Sequence, residues 1–166
     1  MKRIWEKFIL WLNAIIFEVR PVETVNNEPY YTIAKQELGV YEIVGMEHNN
    51  RIQEYHATTS LKADSDEIPW CSSFVNWCMV QCGYPSTGSA MARSWLLWGT
   101  PELHPSIGST VCVFWRGSRE SRSGHVGFYA GESETAILVL GGNQSDKVSY
   151  DWYPKKQLLA YRRARI

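Results

Sequence analysis

The chain has 166 residues, enough for one domain with a full core. Its 45% hydrophobic and 20% charged residues exclude a disordered chain. Lys plus Arg number 17, as do Asp plus Glu, so the formal net charge is zero and the basic excess of a nucleic-acid-binding domain is absent.

Met1-Lys2-Arg3 stands ahead of an apolar run over residues 8–17. A charged start and an apolar middle look like a signal peptide, yet Phe17-Glu18-Val19-Arg20-Pro21 offers no small-x-small cleavage site. A run of about ten apolar residues is too short to span a bilayer. The expectation is an amphipathic helix over residues 1–20 that packs on the domain or makes a peripheral membrane contact through residues 1–17. Residues 1–25 then form a helical extension and linker, and residues 26–166 a single domain.

A helix is predicted over residues 30–38, stopped by Gly39, and Asn49-Asn50-Arg51-Ile52 leads into a short one through Tyr55-His56. Residues 57–67 read as a polar loop. Pro69 opens the next helix, which carries Cys71 and an apolar stripe of Phe74, Val75, Cys78, Met79 and Cys82, and Gly83 ends it. Residues 90–98 form a short aromatic helix. Strands are predicted over residues 111–115, 125–130, 136–140, 148–152 and 158–163, with turns at Gly117-Ser118, Gly131-Glu132 and Gly141-Gly142. Helices first and strands afterwards make an α+β fold, with N-terminal helices packed on an antiparallel sheet of about five strands.

The cysteines are Cys71, Cys78, Cys82 and Cys112. Two disulfides are arithmetically allowed, but Cys78 and Cys82 are neighbours on one helix, a spacing that is rarely bridged. No Cys-x-x-Cys is present, so a zinc set is disfavoured. One reactive thiol and three structural ones is the reading, with no metal and no organic cofactor.

Cys71 opens its helix directly after Pro69-Trp70. A helix N-terminus carries unpaired N–H groups and partial positive charge, which favour thiolate over thiol, and only the thiolate attacks. His125 lies on a predicted strand between Gly124 and Gly127, where missing side chains permit close approach. His48, His56 and His104 lack such a setting. Asn143 follows the next strand, within reach of His125 if the two strands pair; the bland alternative is a turn residue after Gly141-Gly142. Cys, His and Asn in this order form a nucleophile, a base and an orienting group.

These motifs resemble a known family. Trp70-Cys71-Ser72-Ser73-Phe74-Val75-Asn76-Trp77 is similar to the nucleophile motif of CHAP and NlpC-type peptidoglycan hydrolases, within the papain-like cysteine peptidases. Gly124-His125-Val126-Gly127-Phe128-Tyr129 resembles their histidine motif, and Gly141-Gly142-Asn143-Gln144 the strand end that bears their third polar residue. Ala90-Met91-Ala92-Arg93-Ser94-Trp95 resembles a subgroup of phage-type lysis proteins and secreted amidase effectors. The resemblance runs from about residue 30 to the C-terminus. Two departures stand out: Gly108-Ser109-Thr110 where many relatives have Gly-Asp, and no papain-type glutamine upstream of the cysteine.

The resemblance implies a papain-like fold and a bacteriolytic cysteine hydrolase. It would cut a peptidoglycan amide, at the sugar-to-alanine bond or within the stem peptide, through Cys71, His125 and Asn143. The Ser72 N–H would serve the oxyanion. Trp70, Arg93, Trp95, Trp98 and Gln144 are candidates for the substrate groove, with packing beneath it as the alternative for the tryptophans. Asp66 and Glu67 would bind a substrate amine or cap the Cys71 helix. Action at the wall without a clear export signal implies synthesis in the cytoplasm and delivery by a secretion machine or lysis programme, with a cognate inhibitor or delivery protein as partner for an effector. A deamidase or acyltransferase acting on protein or lipid, and a non-catalytic wall-binding module, are the rival readings.

Overall fold

Alternating apolar residues in the second half of the chain pair into one antiparallel sheet. The computed structural model describes residues 28–165, apart from residues 44 and 46. The extension expected over residues 1–25 lies outside the described residues. The strands are β1 (Thr100–Glu102), β2 (Thr110–Trp115), β3 (Gly124–Glu132), β4 (Ala136–Gly141), β5 (Ser149–Pro154) and β6 (Leu158–Arg163). They lie in the order β1-β6-β2-β3-β4-β5. β2 to β5 form a meander, as consecutive hairpins do. After β5 a 3-10 turn, Lys155–Gln157, leads into β6, which returns to the free side of β2.

The sheet has six strands where about five were expected. The extra one, β1, is three residues long and contains Pro101, which removes a ladder donor and hides the strand from a sequence reading. It is tolerated because it pairs only with β6, at the sheet edge. Gly99 permits the approach: its φ is +58°, and a Cβ there would lie 2.0 Å from the Arg163 carbonyl oxygen.

Among the described residues, three helices precede the sheet: α1 (Pro29–Gln36), α2 (Asn50–Ala57) and α3 (Cys71–Gln81). Asn49 caps α2, its side chain accepting from the Arg51 N–H at 2.9 Å. The aromatic segment expected over residues 90–98 is a 3-10 helix, Ala92–Leu97. The largest departure from the sequence pattern is α3. A single apolar stripe was expected, yet every residue from Cys71 to Met79 is buried. The helix packs against α1, α2 and β3, so only its last two residues, Val80 and Gln81, are left to solvent.

A helix buried all round must satisfy its polar side chains internally. Asn76 donates to the Ser72 carbonyl at 2.8 Å and the Ser89 carbonyl at 3.0 Å, and accepts from the Gly88 N–H at 2.8 Å. It thereby ties the segment before the 3-10 helix to α3. The rest of the contact is aromatic: Phe74 meets Phe128 of β3 edge-on at 6.4 Å, and Tyr30 of α1 stacks on Phe128 at 5.6 Å. A second cluster, formed by Cys112, Phe114, Tyr129, Ile137 and Val139, fills the other face of the sheet.

The head of α3 meets the end of β4 at Gly142. A Cβ at Gly142 would fall 2.5 Å from the Trp70 ring and 2.7 Å from the Phe74 Cβ. Gly142→Ala is expected to cost about 1–3 kcal/mol through overpacking. The check is the urea midpoint, which should fall at constant slope; an unchanged midpoint would show that the contact yields freely.

Candidate active site

α3 begins at Cys71, and β3 begins at Gly124, one residue before His125. The backbone N–H of Val126, the residue after His125, and that of Ser72 favour the ionised Cys71 thiol, as does the Arg116 charge. Helix head and strand start are thus brought together at the sulfur, which opens on a cavity of about 240 Å³ lined also by Met91, Arg116, Arg122 and Gly124.

His125 is fully buried, and both of its ring nitrogens are engaged. Nε2 lies 2.9 Å from the Gln144 side-chain oxygen. The Gln144 amide nitrogen donates to the carbonyls of Val139 at 3.2 Å and Ser149 at 2.5 Å, so its oxygen is the atom that faces the ring. An amide oxygen only accepts; therefore Nε2 carries the proton and Nδ1 holds a lone pair. Arg116 donates to that lone pair at 3.3 Å. Tyr153 of β5 stacks on the imidazole, with centroids 4.6 Å apart and planes 8° from parallel. The flanking glycines admit neighbouring strands and not the helix end: a Cβ at Gly124 would lie 2.7 Å from the Phe114 carbonyl oxygen of β2, and one at Gly127 would lie 2.4 Å from Val139 of β4.

The third member of the expected triad is placed differently. Asn143 does not reach His125; its amide nitrogen donates to Glu42 at 2.5 Å. The cause is the backbone of the turn. Asn143 has φ +55°, a conformation asparagine tolerates, and this sends its side chain away while Gln144, 1% exposed, turns inward. The turn-forming character of Asn after Gly-Gly was the available sequence signal. Glu42 also accepts from the Trp70 indole N–H at 2.7 Å, so one carboxylate ties the residue before Cys71 to the residue before Gln144.

Most of the expected groove residues are elsewhere. Trp70 and Trp95 are fully buried. The Trp95 indole donates to the Ser72 hydroxyl at 2.9 Å, and that of Trp98 to the Pro85 carbonyl at 2.8 Å. They pack beneath the site because their N–H groups find protein partners there. Asp66 is fully buried and accepts from the N–H groups of Ile43 and Asn49, both at 2.9 Å, and it contacts His48 at 3.0 Å. It therefore pins the segment before α2 and neither meets a substrate amine nor caps α3. Glu67 is exposed, off the Cys71 cavity, and makes no capping bond to α3. Arg93 donates to the carbonyls of Ser123 and Arg119, at 3.2 and 2.8 Å, and so braces the β2–β3 loop. The two residues that sequence reasoning missed are Arg116 and Tyr153.

Electrostatics also differ from the simple helix-head argument. Burial pushes the Cys71 thiol up, against the opposing pull of the Val126 N–H, the Arg116 charge and the helix N–H groups. Burial and then Arg116 push His125 down to about 3, although the Gln144 bond favours the charged ring. The resting pair is therefore a neutral thiol beside a neutral imidazole. All four cysteines are free, and Cys78 and Cys112 are buried.

Comparison with protein families finds a match to one domain model over residues 63–143. That model is the CHAP domain. The match contains Cys71 and His125 and stops at Asn143, one residue short of Gln144. CHAP domains are typically cysteine- and histidine-dependent amidases or peptidases, so an amidase-type peptidoglycan hydrolase is the coarse reading. No curated protein matches the chain.

The histidine also sets an acid limit. His125 titrates near 6.5 when unfolded and near about 3 in the fold, so the folded chain binds fewer protons between those values. Its contribution to stability is complete above pH 6.5 and declines as pH falls toward about 3, by about 1.4 kcal/mol per unit at most. Urea midpoints measured from pH 7 to 4 should fall steeply for wild type and less steeply for His125→Asn. Equal slopes would mean that His125 protonates freely in the fold.

Proposed function

We propose that this chain hydrolyses an amide of peptidoglycan by covalent catalysis, with Cys71 as nucleophile, His125 as base and Gln144 as the group that orients the imidazole. The observation that carries the reading is the ring of His125, held through Nε2 by Gln144 with an unprotonated Nδ1, on the strand whose next N–H favours the Cys71 thiolate. Nδ1 takes the thiol proton, and the thiolate attacks the substrate carbonyl carbon. The developing oxyanion sits at the head of α3, where the Ser72 N–H is its donor; one such donor contributes about 3 kcal/mol to the barrier. The imidazolium then protonates the leaving amine, and water, deprotonated by the same nitrogen, hydrolyses the thioester.

The Gln144 role follows the logic of a triad's third member. It fixes the tautomer and favours the imidazolium as it forms. Tyr153 adds a flat wall that keeps the ring in that plane. Asn143 acts one step further out, through Glu42 and Trp70. The bond cut is either the sugar-to-alanine amide or one within the stem peptide, since the same three groups serve both. Peptidoglycan as substrate places the action at the cell wall, with delivery by a secretion machine or a lysis programme.

Digestion of purified peptidoglycan by wild type and Cys71→Ala in parallel, with products read by mass spectrometry, tests the nucleophile. Wild type is expected to release fragments whose masses identify the bond, and the variant none. Release by Cys71→Ala would sink the mechanism. Gln144→Ala is expected to lower kcat by about 100-fold with little change in KM, whereas Asn143→Ala lowers it by less than about tenfold. The reverse order would return the orienting role to Asn143.

A further inference from the structure

The loop between β2 and β3 reads Arg116-Gly117-Ser118-Arg119-Glu120-Ser121-Arg122-Ser123, a local basic excess in a chain of zero net charge. Arg116, Arg119 and Arg122 are all exposed, and none of them forms an ion pair among the described residues. Two of the three, Arg116 and Arg122, line the cavity on which the Cys71 sulfur opens. Arg93 braces the loop through its carbonyls and leaves those two guanidinium groups facing the cavity.

The position of Arg116 is costly for catalysis as it stands. Its guanidinium donates to His125 Nδ1, the one nitrogen with a lone pair for the thiol proton. While that bond persists the base is occupied. Once the base has taken the proton, an imidazolium and a guanidinium sit about as close as two like charges ever do, and like charges at such range oppose the step. The thiolate offsets one of the three positive charges and leaves two uncompensated. An anion entering the cavity would relieve both problems. Guanidinium binds carboxylate in a planar two-bond geometry, which a shift of Arg116 away from the imidazole would make available.

We propose that Arg116 and Arg122 form an anion subsite that reads a carboxylate next to the scissile amide, and that Arg116 leaves His125 Nδ1 when the carboxylate binds. On the hydrolase reading above, on which this rests, the ligand is a stem-peptide carboxylate. Arg116 is then both a specificity residue and a gate on the base.

Alkylation of Cys71 in the full chain tests the subsite without any wall substrate. The rate with iodoacetate, which carries a carboxylate, is divided by the rate with neutral iodoacetamide, and this ratio is normalised to that of N-acetylcysteine. Mass spectrometry of the Cys71 peptide separates it from the other thiols. Wild type is expected to favour iodoacetate by about tenfold, the scale of one Arg–carboxylate contact. Arg116→Ala should abolish the preference, Arg116→Lys retain part of it, and Arg119→Ala, on the same loop but off the cavity, leave it unchanged. No preference in wild type, or an equal loss in Arg116→Ala and Arg119→Ala, overturns the subsite.

The second arm compares release from stem peptides with free and with amidated carboxylates. Wild type should favour the free form, and Arg116→Ala should not. Equal release from both forms by wild type overturns the subsite and leaves the hydrolase standing. No release from either, with the Arg116-dependent iodoacetate preference intact, overturns the hydrolase and leaves the anion subsite.

Discussion

The approach of α3 to the end of β4 is the constraint on which the site depends. Trp70 and Phe74 press against Gly142, and the Gln144 side chain and His125 Nε2 crowd Gly141, where a Cβ would lie 2.8 and 3.3 Å from them. Any side chain at either glycine would separate the helix that bears Cys71 from the turn that bears Gln144. Glu42 closes the same junction with charge, holding Trp70 and Asn143 on one carboxylate oxygen. Cys71, His125 and Gln144 therefore rest on one packed contact between three segments far apart in the chain.

That contact is dry, and dryness determines the electrostatics. A helix head favours thiolate, but only by a fraction of a charge at partial exposure. Full burial opposes both thiolate and imidazolium, and here it prevails at Cys71 and at His125 alike. The resting site is neutral, and the nearest full charge belongs to Arg116.

The elements were largely legible in the sequence because each rests on local signals. Gly39 and Gly83, at φ +89° and +71°, follow helix ends as their identity suggests. Five strands appear within a residue or two of their apolar runs. β1 was hidden because Pro101 argues against a strand, and only an edge position beside β6 makes it one. The return of β6 to β2 is a pairing between segments about fifty residues apart, which no local pattern encodes.

The site divides in the same way. Cys71 and His125 are visible in the chain because a helix start and a glycine-flanked strand residue are local features. Residue types and their periodicity also pointed to the α+β layout and to the absence of a basic excess. Which of the two residues after Gly142 turns inward, Asn143 or Gln144, depends on a single φ angle. Whether a tryptophan lines a groove or lies beneath it depends on where its N–H finds an acceptor. Whether Arg116 faces solvent or the imidazole depends on a loop braced from another element by Arg93. Those three decisions belong to the tertiary structure, because each is made by atoms that are distant in sequence and become neighbours only once α3 is packed on the sheet.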